Sequence, residues 1–563
     1  MDNDMKNKYL NRLYIPLFLV LIWSTSACKK DNFLDVPPKG SLTDATTFSS
    51  ESNADLFVND IYNQLPDMNN EYQVLDQYTD NDFPGAAWMT GQTTVRANGI
   101  NPSNVPGGPA GSFNWTTQYG NIRKCNVFLQ QAAKNKANFS ADWYNQRVAE
   151  VTFLRAFFYS ILYTNYGGLP LITAPLNNAD GTDIFVERST ADQTLAFIEA
   201  DCDAAAAVLP AQASQSGRAT KGAALTLKGW VELFAASPLS NPSNDAGRWA
   251  KAAATNLQVM NANTYSLFPD YGAQFLSSNN WNSETIFARG YAVPNKGHNR
   301  EGTLGPVIVN GVQQAWGNLA PTQNLVDDYE MDNGKPISDP TSGYDPQNPY
   351  VGREKRFYQS IVYDGSIWQG DTWLSRTGGN NQIDLGSSSD ISNTGYNAKK
   401  TLDESIKGQT SLGISPGTSN YIFYRYAEVL LSYAEAQNEA VGPDQSVYTA
   451  VNKVRARVSL PALPAGLSQA DMRTIIRRER RIEFAFEDKR WYDIRRWDIT
   501  TKGPAVLTSP EYGMQITIDP STKKLIYTPV QIFKNSFSEY MNWLPIPQGV
   551  IEQNKKLKQN PGY

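Results

Sequence analysis

One stretch constrains this chain more than any other: Arg477 to Trp497, RRERRIEFAFEDKRWYDIRRW. It crowds both signs of charge among aromatics and contains no Gly or Pro. Ile475, Ile482, Phe486, Trp491, Ile494 and Trp497 recur at helical spacings, which makes one face apolar. Glu479, Glu483 and Glu487 repeat every four residues on a neighbouring face. Three-residue spacing predicts that Glu483 pairs with Arg480, and Glu487 with Arg490. The pattern reads as a partly buried ionic lattice joining packed layers, in which removing one partner strands a charge at a cost of about 3–5 kcal/mol. Acid/base catalysis fits it poorly, because the arginines hold the Glu pKa values down where a general acid needs one raised. Phosphate binding fits poorly too, since alternating signs cancel the field a polyanion needs.

The N-terminus supplies an address. Lys6, Lys8 and Arg12 precede a short apolar run, Tyr14 to Trp23, then Ser24-Thr25-Ser26-Ala27 and Cys28. The run is too short to span a bilayer and suits a signal peptide. Small residues ending at a cysteine resemble a lipobox, although Thr25 stands where Leu is usual. The expectation is a signal peptide over 1–27, lipidation at Cys28 and a charged tether over 28–52. Two cysteines then remain, Cys125 and Cys202, both expected as buried free thiols. The single histidine, His298, lies in a polar loop and is expected to be solvated; that nearly rules out His-based triads and poly-His zinc sites. A net charge of −5 gives nucleic acid nothing to bind.

Helical periodicity dominates the middle of the chain. Helices are expected over 53–65, 119–134, 142–163, 190–209, 219–236 and 247–262, then 421–439, 445–458 and 468–488. Small residues such as Ala223, Gly229 and Ala253 let neighbours approach closely. The fold class is therefore mainly α, a tetratricopeptide-like superhelix of helical pairs with a large subdomain of loops and short strands. Residues 53–262 form an N-terminal helical portion with a ligand-loop insertion at 69–116, residues 263–420 the irregular subdomain, and residues 421–563 a C-terminal helical portion. Residues 28–563 are expected to act as a single unit. A short hairpin near 514–527 and a helix near 548–557 close the chain.

Several blocks together resemble the SusD/RagB family: RVAEVTFLRAFFYSILYTNYGGLPL (147–171), YRYAEVLLSYAEAQNEA (424–440), VNKVRAR (451–457), the opening stretch, LPIPQGVIEQN (544–554) with QNPGY (559–563), and Cys28 followed by FLDVPP (33–38). The resemblance implies a surface-exposed lipoprotein on the outer membrane. It would capture oligosaccharide or polysaccharide and deliver it to a SusC-like TonB-dependent β-barrel transporter, without catalysis. Peptide or another nutrient is the alternative ligand, and a carboxylate-dependent glycosidase the alternative activity. No cofactor or metal is expected; Asp327, Asp328 and Asp332 are acidic but lack EF-hand spacing.

Sugars need flat aromatics for their C–H faces and Asp, Asn, Gln or Arg for their hydroxyls, presented on loops. The segment TDNDFPGAAW (79–88) offers Asp80, Asn81, Asp82 and Trp88 together, with Arg96 nearby. Family relatives often use the equivalent loop for ligand, which makes these the first candidates. Tyr291, Trp316 and Trp368, in the irregular region, are the second. Trp115, Trp143, Trp230, Trp249, Trp491 and Trp497 sit in or beside helices and are expected in the core.

Overall fold

Helix caps and periodicity explain most of the architecture in the computed structural model, which describes residues 44–83, 91–177, 183–383, 393–407 and 416–563. The signal peptide, Cys28 and Trp88 lie outside these. Packing separates a unit ending at Leu56 from a second unit, Phe57–Tyr563, which carries the lattice and the cleft described below.

The principal helices are α1 (Glu51–Asn63), α2 (Trp115–Lys134), α3 (Ala141–Tyr166), α4 (Ala191–Val208), α5 (Lys221–Ala236), α6 (Ala246–Asn261), α7 (Tyr426–Val441), α8 (Gln445–Arg457), α9 (Gln469–Glu483) and α10 (Arg490–Arg496). Short polar residues start many of them by accepting an orphan backbone N–H. Asn114 caps α2, Thr220 caps α5, Asp444 caps α8 and Ser468 caps α9, while Thr190 and Gln193 form a reciprocal capping box on α4. From α2 to α6 each helix packs on the next, and α7 then packs on α6, α8 and α9. The layered helical array therefore closes across residues 262–425, which are inserted between two helices that touch. Gly229 permits the α5–α6 approach, since a Cβ there would lie 2.8 Å from the Asn256 amide.

The insertion has its own core. Tyr350, Phe357, Trp368, Trp373 and Tyr396 pack with Ile482 and Phe486 from the signature, and with Met514 and Ile516. Aromatics in a polar, Gly-rich sequence thus build a loop-subdomain interior. Strands pair two by two, all antiparallel: β1 (Asp82–Phe83) with the distant β3 (Ala320–Pro321), β2 (Thr285–Arg289) with the distant β4 (Tyr421–Arg425), and β5 (Pro510–Ile518) with β6 (Leu525–Lys534) as a hairpin.

Several expected boundaries move. Residues 421–425, expected as helix, form β4, because the aromatic-rich YIFYR pairs with β2 and α7 begins only at Tyr426. The helix expected to reach Asp488 stops at Glu483. Phe486 and Asp488 adopt left-handed backbone, φ 64° and 60°, and α10 resumes at Arg490. Such conformations persist only where the surroundings hold them. Here the Asp76 carboxylate accepts both the Phe486 and Asp488 N–H groups. The hairpin extends beyond 514–527, and the last helix is shorter, Gln548–Gln553. Cys125 and Cys202 are free and buried, as expected. His298 is buried, not solvated: its Nε2 lies 3.0 Å from Ser419 Oγ, its ring meets Tyr291 edge-on, and burial, then Arg300, lower its pKa to about 4. Trp143 is half-buried against Phe139; the other five helical tryptophans are core. Among the described residues no helix is long and apolar enough to cross a membrane.

Candidate functional site

The charged signature is a lattice, but the partners of its glutamates come from far along the chain. Neither Glu483–Arg480 nor Glu487–Arg490 forms. Glu483 instead receives Arg425 at 2.6 Å, Arg356 at 3.2 Å and Arg457. Glu487 receives Arg425 at 2.6 Å and Lys400 at 2.5 Å. Arg480 turns to Asp493 at 3.1 Å, which also receives Arg496 at 2.9 Å. The break after α9 rotates Glu487 and Arg490 out of helical register, so local spacing no longer decides who meets whom. Burial alone would raise the Glu483 pKa, yet the three guanidiniums outweigh it and hold the carboxylate well below its ordinary range.

The first candidates from sequence are consumed by this lattice. Asp80 is buried between Arg481 at 2.8 Å and Arg490 at 2.9 Å, which overcome its desolvation and hold its pKa at about 2. Asn81 accepts from Arg481 and donates to Asp76, both at 2.8 Å. Asp82 is fully buried on β1, and burial and the neighbouring Asp76 push its pKa well up. Arg96 pairs with Glu511 and Asn535 and lies over the adjoining rings of Phe83 and Phe533, 5.2 and 5.3 Å from their centres. Asp80 and Asn81, expected to face sugar hydroxyls, are instead held by the signature, Arg96 is held by β5, and the Asp82 carboxylate is buried with no hydrogen-bond partner among the described residues. Trp368 is also core, at 2% exposure. Trp316 is half-buried beside the Arg300–Leu304 turn, its backbone N–H bonded to Gly302.

Tyr291 is different, because it borders an open cleft of about 360 Å³. Three separate stretches build the walls: the end of α1 with the turn after it (59–70), the loop before α5 (215–218), and 281–297 around β2. Arg218 is fixed by Glu150, Asn59 and Gln215, each at 2.9 Å, and lies over the Tyr62 ring. Arg289 donates to the carbonyls of Asn63 and Leu65, fastening the strand to the end of α1. The Tyr291 hydroxyl donates to Asp67 at 2.7 Å. Lys296 is exposed and forms no ion pair among the described residues. A flat ring completes the set. Trp281 is 36% exposed, and its indole N–H donates to no described residue. Its backbone is left-handed, φ 58°, unusual for a bulky side chain. Two glycines make room for its tip, since a Cβ on Gly217 or Gly290 would lie 3.1 or 2.8 Å from the indole.

Rigidly held guanidiniums, amides and a carboxylate beside an accessible indole form a surface that can hydrogen-bond hydroxyl rims and stack on C–H faces. Sequence reading missed Trp281, Arg218, Arg289 and Asp67. Trp281 stands in a polar stretch, SNNWNSE, which is the only local signal it carries. Among the described residues no cluster of three potential metal ligands occurs. Asp328 instead pairs with Arg481, and Asp327 accepts from Gln323.

Comparison with known proteins agrees with this architecture. The SusD family model matches residues 283–563, and a second model, described as starch-binding and associating with the outer membrane, matches residues 32–231. A SusD-like protein of Formosa agariphila is 24% identical over 528 residues, covering 86% of this chain and 90% of its own. A SusD-like protein of Bacteroides fragilis superposes with TM-score 0.77 at 29% identity, covering 93% of this chain and 99% of its own. A SusD-like carbohydrate-binding protein of the same species superposes with TM-score 0.76 at 24% identity, covering 91% and 100%. With matched segments along nearly all of its length and a shared helical scaffold, the chain belongs to the SusD family.

Proposed function

We propose that this protein is a glycan-binding lipoprotein of the outer membrane surface, anchored through Cys28, which captures oligosaccharide or polysaccharide and passes it to a SusC-like TonB-dependent β-barrel. The observation that carries the reading is the cleft around Trp281, where an accessible indole whose N–H donates to no described residue stands among fixed Arg218, Arg289 and Asp67 side chains. The family's description as starch-binding and associated with the outer membrane supports the ligand class and the location. Binding without turnover is the consistent chemistry: of the residues lining the cleft only Asp67 carries a carboxylate, whereas sugar hydrolysis ordinarily uses two.

A polysaccharide array followed by calorimetry tests the reading, with Trp281→Ala beside the parent protein. Binding to one glycan class, weakened in the variant, supports it. Peptide binding with silence across all glycans would reassign the ligand, and turnover of any oligosaccharide would overturn the non-catalytic assignment.

A further inference from the structure

Trp281 does not close the cleft; it divides a longer one. A second hollow of about 250 Å³ shares Ser216, Gly217, Arg218, Trp281 and Ala288 with the first. Its further polar lining includes Gln212, Thr220, Thr264, Tyr265, Asn282 and Ser283. The Tyr265 and Thr220 hydroxyls sit 3.1 Å apart and bond each other. Gln212 and Ser283 are exposed, and Thr264 and Asn282 are half-exposed, so this lining is within reach of solvent. The two hollows differ in charge. Asp67, Arg218, Arg289 and Lys296 line the first, whereas Arg218 is the one charged side chain lining the second.

We propose that the two hollows are halves of one groove, and that an oligosaccharide too long for either lies across Trp281 with sugar units in both. This rests on the glycan-binding reading above and adds a requirement for chain length. The left-handed Trp281 backbone, with its indole tip lodged against Gly217 and Gly290, places the ring in both walls at once. A bulky residue is held in that conformation only where its surroundings impose it, and such positions concentrate at ligand sites. Once one half is occupied, binding in the other is intramolecular, so affinity rises with length until both are filled and then levels. The charged half would take the more polar or acidic unit and the neutral half an uncharged one.

The test is calorimetry of the purified protein with length ladders, disaccharide to heptasaccharide, of maltodextrin, β-1,3-glucan, xylan and alginate. Three variants accompany it: Trp281→Ala, Asn63→Trp to fill the first half, and Ser283→Trp to fill the second. Both filling positions are exposed, and equal melting temperatures confirm that the variants fold. For the ladder that binds, the expected result is a rise of about tenfold or more from disaccharide to the longest member. Each filling variant should flatten that rise, and Trp281→Ala should weaken every length. A flat ladder in the parent, or a filling variant that leaves the long ligand's affinity intact, overturns the single-groove proposal while the glycan-binding reading stands. Absence of binding to any carbohydrate overturns both.

Discussion

Arg490 grips Asp80 with two parallel hydrogen bonds, Nε to one carboxylate oxygen and Nη2 to the other, each 2.9 Å long, between residues 410 positions apart. Arg481 closes on the same carboxylate from α9. The segment before β1 is thereby fastened to α9 and to the start of α10, and β1 in turn pairs with Ala320–Pro321 of the loop subdomain. Asp80 joins three parts of the fold through a single buried charge.

Removing that charge should cost stability without touching ligand directly. Asp80→Ala strands two buried guanidiniums, and the expected loss is about 3–5 kcal/mol in urea unfolding. A loss within measurement error would mean that the lattice tolerates an open position.

Two tryptophans are expected to separate by role. Trp368→Ala empties a packed site in the loop-subdomain core and should destabilise by about 3–5 kcal/mol, with unchanged affinity in the fraction that folds. Trp88→Ala is expected to do the reverse, lowering glycan affinity while the melting temperature holds. Paired melting curves and titrations of the two variants check both statements.

Gly290→Ala probes the seat of Trp281 without deleting the ring. The added methyl would lie 2.8 Å from Cζ2, so the indole must move. Glycan affinity should drop several-fold with little change in melting temperature, since such a shift leaves the helical core alone. Unchanged affinity would show that the orientation of the ring is immaterial.

Stability should pass through a maximum in mildly acidic solution. Asp76 is raised to about 7, first by burial and then by the Asp488 carboxylate; Glu232 and Glu301, also buried, are raised to about 7 as well. Their folded pKa values exceed the unfolded ones, so folding takes up protons, and the stability they add is lost as pH rises from about 4 towards about 7. Asp80, held at about 2, acts oppositely: its contribution is present above about pH 4 and disappears as pH falls through about 2. Chemical denaturation from acid to neutral pH measures both limbs, and Asp76→Asn should flatten the upper one.

The helices were legible in the sequence because their causes are local. Ser468 caps α9, Thr190 with Gln193 starts α4, and three-to-four residue apolar spacing marks the faces that pack. The family could be recognised for a related reason: the blocks at 147–171, 424–440 and 451–457 fall largely on α3, α7 and α8, and the opening stretch on the lattice. The charge density of Arg477–Trp497 likewise announced a lattice, although not which residues it joins. Glu483 could have met Arg480 one turn away, but it meets Arg356, Arg425 and Arg457, brought to it from three other elements. The same limit hid the cleft. Asp80, Asn81 and Arg96 look like a binding loop as text, and only packing against Arg481, Arg490 and Glu511 makes them interior. Trp281, Arg218 and Asp67 look unrelated as text, and only the fold gathers them around one opening. Local propensity and periodicity, which depend on near neighbours, were determined by the sequence itself. Burial and ion-pair choice depend on groups hundreds of residues away, and these the tertiary structure decided.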